Sequence, residues 1–120
     1  MTKKTVVLGA SENPLRYSFQ AVRQLEKHHH PVQAIGIREG KIGDVKIETG
    51  QPPLREVDTV TLYLNAGNQR KYYDYILSIH PRRLIFNPGA ENAELFRLAA
   101  ENGIVPVEAC TLVLLSTGQY

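Results

Sequence analysis

The fold class is decided by the stretch Thr5-Val6-Val7-Leu8-Gly9-Ala10-Ser11-Glu12-Asn13-Pro14. Its apolar, β-branched run ends at Gly9, which is typical of a strand buried on both faces of a sheet. Beyond the loop, apolar residues recur at helical spacing at Phe19, Val22 and Leu25. The order strand, loop, helix is therefore predicted at the amino-terminal end of the chain.

The same alternation continues along the rest of the chain. Pro31 ends the first helix, and a second strand is predicted at 32–35. Further strands are predicted at 57–64, 84–86 and 104–107, and further helices at 69–79 and 91–102. A hairpin at 41–47 is an excursion from this alternation, and the tail at 111–120 is either a short helix or an edge strand.

This pattern predicts an α/β fold, because parallel strands joined by helical crossovers need covering layers. We expect a Rossmann-like, doubly wound, mostly parallel sheet of about five strands with helices on both faces. The whole chain, residues 1–120, is expected to form a single domain.

Composition limits the function classes. A chain of 120 residues with 42% hydrophobic and 22% charged residues matches a soluble globular domain. The formal net charge of +2 is too small to indicate a nucleic-acid-binding protein. The only cysteine, Cys110, excludes an intrachain disulfide and fits a reducing compartment. Since the apolar run at 6–8 is far shorter than a signal-peptide core or a membrane span, we expect a cytoplasmic chain without a membrane or nucleic-acid partner.

Three polar patterns have ordinary structural explanations. The consecutive histidines at 28–30 point in different directions at a helix end, so we predict no metal site there. The stretch 69–73 combines basic and aromatic residues, but its tyrosines fall at helical core spacing. For the asparagines that precede this helix, we predict that Asn68 is a cap and leave Asn65 open between capping and ligand contact.

The loop between the first strand and the first helix is the first candidate ligand site. Backbone N–H groups at a helix start attract phosphate, and ligands of such sheets bind at the carboxyl ends of the strands. Gly9 allows close approach, Ser11 can donate its hydroxyl, and Pro14 stiffens the turn. The loop lacks the GxGxxG and GxxxxGKS/T fingerprints, and Asn13 replaces the second glycine of a GxSxG nucleophile elbow. On these residues alone, an ordinary connecting loop and a phosphate cradle both stay open.

Arg38 is the second candidate, because it follows the second strand. A dinucleotide site with a free ribose hydroxyl has an acidic side chain near that point, whereas a phosphorylated ribose requires a cation. The Arg38 guanidinium can bind a phosphate with two hydrogen bonds. Glu39 offers Arg38 a neighbouring partner, so a solvated charged turn is the alternative interpretation.

A family resemblance is carried by the stretch Val7-Leu8-Gly9-Ala10-Ser11-Glu12-Asn13-Pro14-Leu15-Arg16-Tyr17-Ser18. It resembles the opening of the CoA-binding domain family, small bacterial and archaeal stand-alone proteins that are similar to the nucleotide-binding domain of the succinyl-CoA synthetase α subunit. Weaker points of resemblance are the hairpin around Ile42, the strand at 57–60, the helix end at 99–104 and the cysteine after the last strand. The resemblance implies a Rossmann-like fold that holds CoA, with the pyrophosphate at the Gly-Ala-Ser loop and the adenosine end near the exit of the second strand.

The resemblance assigns binding residues position by position. The residues that match the family's loop are Gly9, Ala10, Ser11, Asn13, Pro14 and Ser18, and Arg38 matches a basic position after the second strand. The chain departs from the family where Gly36-Ile37 replaces Asn-Pro, where Phe86-Asn87-Pro88-Gly89 replaces an aromatic-Gln region, and where Ala109 replaces an arginine.

The resulting hypothesis is a binding module that holds CoA or acyl-CoA and has no catalytic residues of its own. The related ligases use a phosphorylated histidine in another domain, which a chain of 120 residues is too short to contain. One alternative is an NADP-dependent or thiol-exchange enzyme, with Arg38 on a 2′-phosphate or Cys110 as the reactive group. Another is a protein-interaction module with a vestigial nucleotide site.

Overall fold

The computed structural model describes residues 2–120. Its strands are β1 (Thr5–Leu8), β2 (Val32–Ile35), β3 (Gly40–Ile42), β4 (Val45–Glu48), β5 (Thr59–Leu62), β6 (Arg83–Phe86) and β7 (Val105–Glu108). Its helices are α1 (Tyr17–Lys27), α2 (Ala66–Gln69), α3 (Tyr73–Ile79), α4 (Ala93–Glu101) and α5 (Thr111–Ser116), with a 3₁₀ turn at Arg70–Tyr72. Within this described part of the chain, no helix has both the length and the apolar content that crossing a membrane requires.

The strands form one sheet in the order β3-β4-β2-β1-β5-β6-β7. All neighbouring strands are parallel except β3 and β4, which form an antiparallel hairpin. The mostly parallel α/β sheet confirms the predicted fold class. The predicted strand number is wrong, because the sheet has seven strands and not about five.

The two additional strands, β3 and β4, form the hairpin that was predicted at 41–47 as an excursion from the alternation of strands and helices. β4 pairs with β2 in parallel, with Ala34 opposite Ile47, so the hairpin extends the sheet at one edge. Ile42 and Ile47 are buried in the same core cluster as Val22 and Leu25 of α1. The hairpin joins the sheet because both of its strands contribute an isoleucine to the core beneath α1.

Helices cover both faces of the sheet. The core on the face of α1 and α5 includes Val7, Val22, Leu25, Ile85 and Leu115. The core on the face of α3 and α4 includes Val6, Leu62, Ile76, Phe86 and Leu95. Alternate residues of the central strands therefore point to opposite cores, as buried parallel strands require.

The structure also decides three local predictions. The helix predicted at 69–79 is divided, because Tyr72 leaves the helical region with φ −102° and ψ 0°. Asn65, and not Asn68, is the N-cap of α2, since its side-chain oxygen accepts the Asn68 N–H at 2.9 Å. The tail forms the short helix α5 rather than an edge strand.

Candidate functional site

The candidate site lies at the carboxyl edge of the sheet, where the parallel strands end. β1 lies between β2 and β5, and the chain reaches these two neighbours on opposite sides of β1. The strand order therefore reverses at β1, and ligands of open α/β sheets bind in the crevice at such a reversal. The loops that follow β1, β2 and β5 surround this position.

The loop after β1 is anchored at its start. The N–H groups of Gly9 and Ala10 both donate to the Ile35 carbonyl, at 2.8 and 2.9 Å. Gly9 has φ +101°, and a Cβ at this position would lie 2.8 Å from the Tyr63 carbonyl oxygen, so glycine is required. These contacts fix the loop on β2 and on the exit of β5, and they occupy the first two N–H groups of the loop.

Farther along the same loop, several hydrogen-bond donors have no partner within residues 2–120. The N–H groups of Ser11 and Glu12 make no hydrogen bond within residues 2–120. Ser11 Oγ accepts the Asn13 N–H at 3.1 Å, which leaves its own O–H free to donate. Arg16 precedes α1 without a side-chain cap, so the first N–H groups of the helix lack a capping acceptor. A helix start of this kind attracts an anion.

The remaining predicted loop residues divide into surface and interior positions. Asn13 and Pro14 are exposed, and Asn13 Oδ1 accepts the Leu15 N–H at 3.0 Å, which closes a turn. Ala10 is buried, and Ser18 is only 4% exposed in the first turn of α1. Ser11, Asn13 and Pro14 therefore line the outer surface of the loop, whereas Ser18 is buried in the first turn of α1.

Arg38 lies in the exposed bend after β2, beside this loop. The Gly36 N–H donates to the Glu48 carbonyl at 2.9 Å, and the Ala10 carbonyl occupies the space that a side chain at Gly36 would need. Within residues 2–120, the Arg38 guanidinium has no hydrogen bond and no ion pair, and Glu39 does not pair with it. The structure therefore brings an unpaired cation to the edge where the loop after β1 lies.

A contact that the sequence analysis did not identify joins the two loops. Glu12 Oε2 accepts the Lys41 N–H at 3.0 Å. The Glu12 side chain lies across Gly40, and a Cβ at Gly40 would overlap its carboxyl group. A glycine two residues after Arg38 is the only local signal, and it does not reveal which distant side chain fills the space.

A cavity of about 250 Å³ opens at the same edge, between the exits of β2 and β4 and the 3₁₀ turn. It is lined by Gly36, Ile37, Thr49, Gly50, Gln51, Lys71 and Tyr72. Gln51 Nε2 donates to the Lys71 carbonyl at 3.0 Å, and the Tyr75 hydroxyl donates to the Pro52 carbonyl. Burial raises the pKa of Tyr75 to about 12, so this donor keeps its proton at neutral pH. The wall after β4 is therefore held in place by hydrogen bonds to the 3₁₀ turn and to α3.

A larger cleft, of about 430 Å³, lies at the opposite edge of the sheet. It is formed by the end of α1 and the turn between β3 and β4, and its lining carries charges of both signs on Arg23, Glu26, Lys27 and Asp44. Its position is away from the strand exits at which α/β sheets bind ligands. Volume alone therefore does not make it the better candidate.

At the exits of β5, β6 and β7, the Asn87 side chain forms a closed hydrogen-bond network within the protein. Asn87 is 2% exposed, and its amide donates to Thr61 Oγ1 at 2.6 Å and to the Leu62 carbonyl at 2.8 Å. Its Oδ1 accepts the Thr111 N–H at 2.9 Å. Because these bonds use both ends of the amide, Asn87 joins three elements and offers nothing to a ligand.

Tyr63 and Cys110 lie beside this closed network. The Tyr63 hydroxyl is buried without a hydrogen-bond partner in residues 2–120, and burial raises the pKa of Tyr63 above its ordinary value. Cys110 is a half-buried free cysteine directly before α5. The part of the chain that the structure describes contains no group of three or more His, Cys, Asp or Glu residues arranged to hold a metal ion.

Comparisons with solved structures support the fold. A crystal structure of an uncharacterized protein is 46% identical, covers 100% of this chain and 99% of its own, and has a TM-score of 0.98. A hypothetical protein from Pyrococcus horikoshii is 18% identical, covers 97% of this chain and 83% of its own, and has a TM-score of 0.86. A protein from Thermus thermophilus is 20% identical, covers 98% of this chain and 91% of its own, and has a TM-score of 0.83. The last two likenesses concern the fold alone.

No curated protein matches the chain. The family described as the CoA binding domain matches residues 3–116, which includes the loop after β1, the Arg38 bend and the hairpin. The predicted family resemblance is therefore confirmed, and the chain belongs to the CoA binding domain family.

Proposed function

We propose that the protein is a cytoplasmic, single-domain module that binds CoA or acyl-CoA and catalyses no reaction itself. The observation that carries the proposal is the pairing of two features at one edge: a helix start whose N–H groups lack a cap, and an unpaired arginine on the adjoining bend. CoA matches this arrangement because it carries a pyrophosphate and a separate 3′-phosphate. The family match supports the same ligand.

In the proposed complex, the pyrophosphate lies at the loop after β1. The N–H groups of Ser11 and Glu12, the Ser11 hydroxyl and the start of α1 supply donors to its oxygens. Gly9 and Ala10 act through the backbone contacts that hold the loop in place. Asn13 and Pro14 shape the turn, and Ser18 is a buried residue of the first turn of α1.

The adenosine end is proposed to lie at the exit of β2. The cavity beside Gly36 has room for one ring system rather than for a whole cofactor, since sites that enclose drug-sized ligands span roughly 300 to 1,000 Å³. Ile37 is 75% exposed at its rim and offers apolar surface to a ring. Arg38 is then placed to pair with the 3′-phosphate, because the guanidinium has no competing partner within residues 2–120.

Calorimetry with CoA, dephospho-CoA and NADPH tests this proposal. Dephospho-CoA lacks the 3′-phosphate, so we expect it to bind about tenfold more weakly than CoA, the effect of one charge-assisted contact at an exposed site. Arg38→Ala should weaken CoA binding by a similar factor and leave dephospho-CoA binding unchanged. Arg82→Ala is the matched control, because Arg82 is an exposed arginine before β6, at the opposite edge of the sheet.

The alternatives give different results in the same experiment. Binding of NADPH without CoA would favour the NADP-dependent enzyme, and an Arg38→Ala variant with unchanged affinities would contradict the proposed polarity of the site. Thiol exchange at Cys110 predicts that a CoA disulfide forms a covalent adduct that Cys110→Ser abolishes. Absence of binding to all three nucleotides would leave the protein-interaction module as the better hypothesis.

A further inference from the structure

We infer that Glu12 is a positioning residue that presents Arg38 to the ligand's 3′-phosphate, an inference that rests on the proposed function. Glu12 belongs to the loop after β1, and it contacts the far end of the bend that carries Arg38. It makes this contact with a backbone N–H and not with the arginine itself.

The hydrogen bond exists because β3 is the edge strand of the sheet. Lys41 is paired with Lys46 across the hairpin, and β3 has no strand on its other side. The Lys41 N–H donates to Glu12 Oε2 at 3.0 Å. A backbone N–H that donates to a carboxylate forms a charge-assisted hydrogen bond, which is stronger than one between neutral groups.

Gly40 makes the contact sterically feasible. A Cβ at Gly40 would lie 2.6 Å from Glu12 Oε1 and closer still to the carboxyl carbon. The Glu12 carboxyl group therefore fills the space that a side chain at position 40 would need, and a larger residue there would displace it. Glu12 is long enough to reach the Lys41 N–H, and the missing side chain at Gly40 leaves room for its carboxyl group.

Arg38 lies between two fixed points as a result. Gly36 is held by its hydrogen bond to the Glu48 carbonyl and by its packing on Ala10. Lys41 is held by its pairing with Lys46 in the hairpin and by Glu12, which connects this end of the bend to the loop after β1. The intervening residues 37–39 are exposed. Because both ends of the bend are fixed, the number of conformations that it can adopt is limited. A cation whose backbone is already ordered loses less entropy when a phosphate binds.

The alternative role for Glu12 is electrostatic repulsion of the ligand. This role predicts the opposite change in CoA affinity when Glu12 is removed. If the negative charge of Glu12 mainly repelled the phosphates, its removal would tighten CoA binding. The positioning role predicts that removal weakens the preference for the 3′-phosphate. Glu39 is the matched control, because it is an exposed carboxylate on the same bend and has no hydrogen bond within residues 2–120.

The experiment measures the ratio of the dissociation constants of dephospho-CoA and CoA for the wild type, Glu12→Ala, Glu12→Gln and Glu39→Ala. We expect a ratio of about ten for the wild type and about two or less for Glu12→Ala. Glu12→Gln retains an acceptor oxygen for the Lys41 N–H and should recover most of the ratio. Glu39→Ala should leave the ratio of dissociation constants at the wild-type value or raise it. Amide exchange at Lys41 should accelerate in Glu12→Ala and stay slow in Glu12→Gln.

The outcomes separate this inference from the proposed function. A wild-type protein that binds neither nucleotide overturns both. A wild-type preference for CoA that persists in folded Glu12→Ala overturns the positioning role alone. Equal changes in Glu12→Ala and Glu39→Ala would assign the effect to charge and overturn it as well.

Discussion

The two halves of the carboxyl edge consist of the same kind of strand exit, but they use their polar groups differently. After β1 and β2, donors on Ser11, Glu12 and Arg38 have no partner within residues 2–120. After β5 and β6, Asn87 makes hydrogen bonds to β5 and α5 and is nearly fully buried. Buried polar groups must be paired for stability, whereas a ligand site requires groups that the fold leaves unpaired. The contrast therefore separates a structural half from a candidate binding half at one edge.

Removal of the Asn87 amide should have the largest effect on stability. Asn87→Ala leaves the Thr111 N–H, the Leu62 carbonyl and the Thr61 hydroxyl with fewer partners in a buried place. We expect the free energy of unfolding to fall by about 3 kcal/mol, the combined cost of unpaired buried groups and a small cavity. Urea denaturation followed by circular dichroism measures this loss.

Asn13→Ala is the control in the other half, because Asn13 is exposed and its side chain holds only the Leu15 N–H. Its expected cost is about 1 kcal/mol or less. Similar losses for the two variants would show that the two halves do not differ in the way described, and the proposed division of the edge would be wrong.

The sequence predicts the fold class better than it predicts which half of the carboxyl edge has unpaired polar groups. Short apolar runs that end at residues such as Gly9 indicate buried parallel strands, so the fold class follows from local pattern. The membership of the hairpin in the sheet does not follow, because the pairing of Ala34 with Ile47 depends on residues that are distant in the chain. A strand of three residues, such as β3, has too little alternation to show which face it buries.

The predicted site residues show the same limit. The sequence predicts Gly9, Ser11 and Arg38 as candidate binding residues by residue type and by their place after a strand. It does not show that the N–H groups of Gly9 and Ala10 already bind the Ile35 carbonyl, or that Glu12 reaches Lys41. Which groups are free for a ligand depends on tertiary contacts, and these are absent from a local pattern.

Gly9→Ala tests whether the candidate half depends on a tightly fixed loop. Its φ of +101° strains any other residue, and the new Cβ would meet the Tyr63 carbonyl at 2.8 Å. We expect a loss of about 2 kcal/mol in the free energy of unfolding, together with weaker CoA binding as the loop shifts.

Gly50→Ala is the matched control, because Gly50 has φ +74° and nothing lies within 4 Å of its Cβ position. Alanine at this position would cause only the backbone strain of a positive φ, so we expect the free energy of unfolding to fall by about 1 kcal/mol. Equal losses would mean that the close approach of the β1 loop to the exit of β5 contributes nothing to stability.

The stability that contacts at the amino edge of the sheet provide should depend on pH. The candidate site at the opposite edge should not be affected by these contacts. His30 Nδ1 accepts the Lys3 N–H at 2.9 Å, which requires an unprotonated ring nitrogen. Burial lowers the pKa of His30 below 6.5, and the nearby charges of His28, Lys3 and Arg83 act in the same direction. The unfolded chain therefore takes up a proton first, so stability decreases as pH falls below 6.5 and stops decreasing below the folded pKa.

The contribution of His30 to this decrease should be less than about 1 kcal/mol, because the ring is partly exposed and solvent screens its charge. Urea denaturation between about pH 8 and about pH 5 measures it, and His30→Gln should show a smaller decrease than the wild type. His29→Gln removes a histidine from the same turn without removing the Lys3 contact, so it should retain the wild-type decrease. CoA affinity should be the same in His30→Gln and the wild type, since the ring lies at the amino edge. A His30→Gln variant with reduced CoA affinity would contradict the separation of the structural contacts at the amino edge from the candidate binding half at the carboxyl edge.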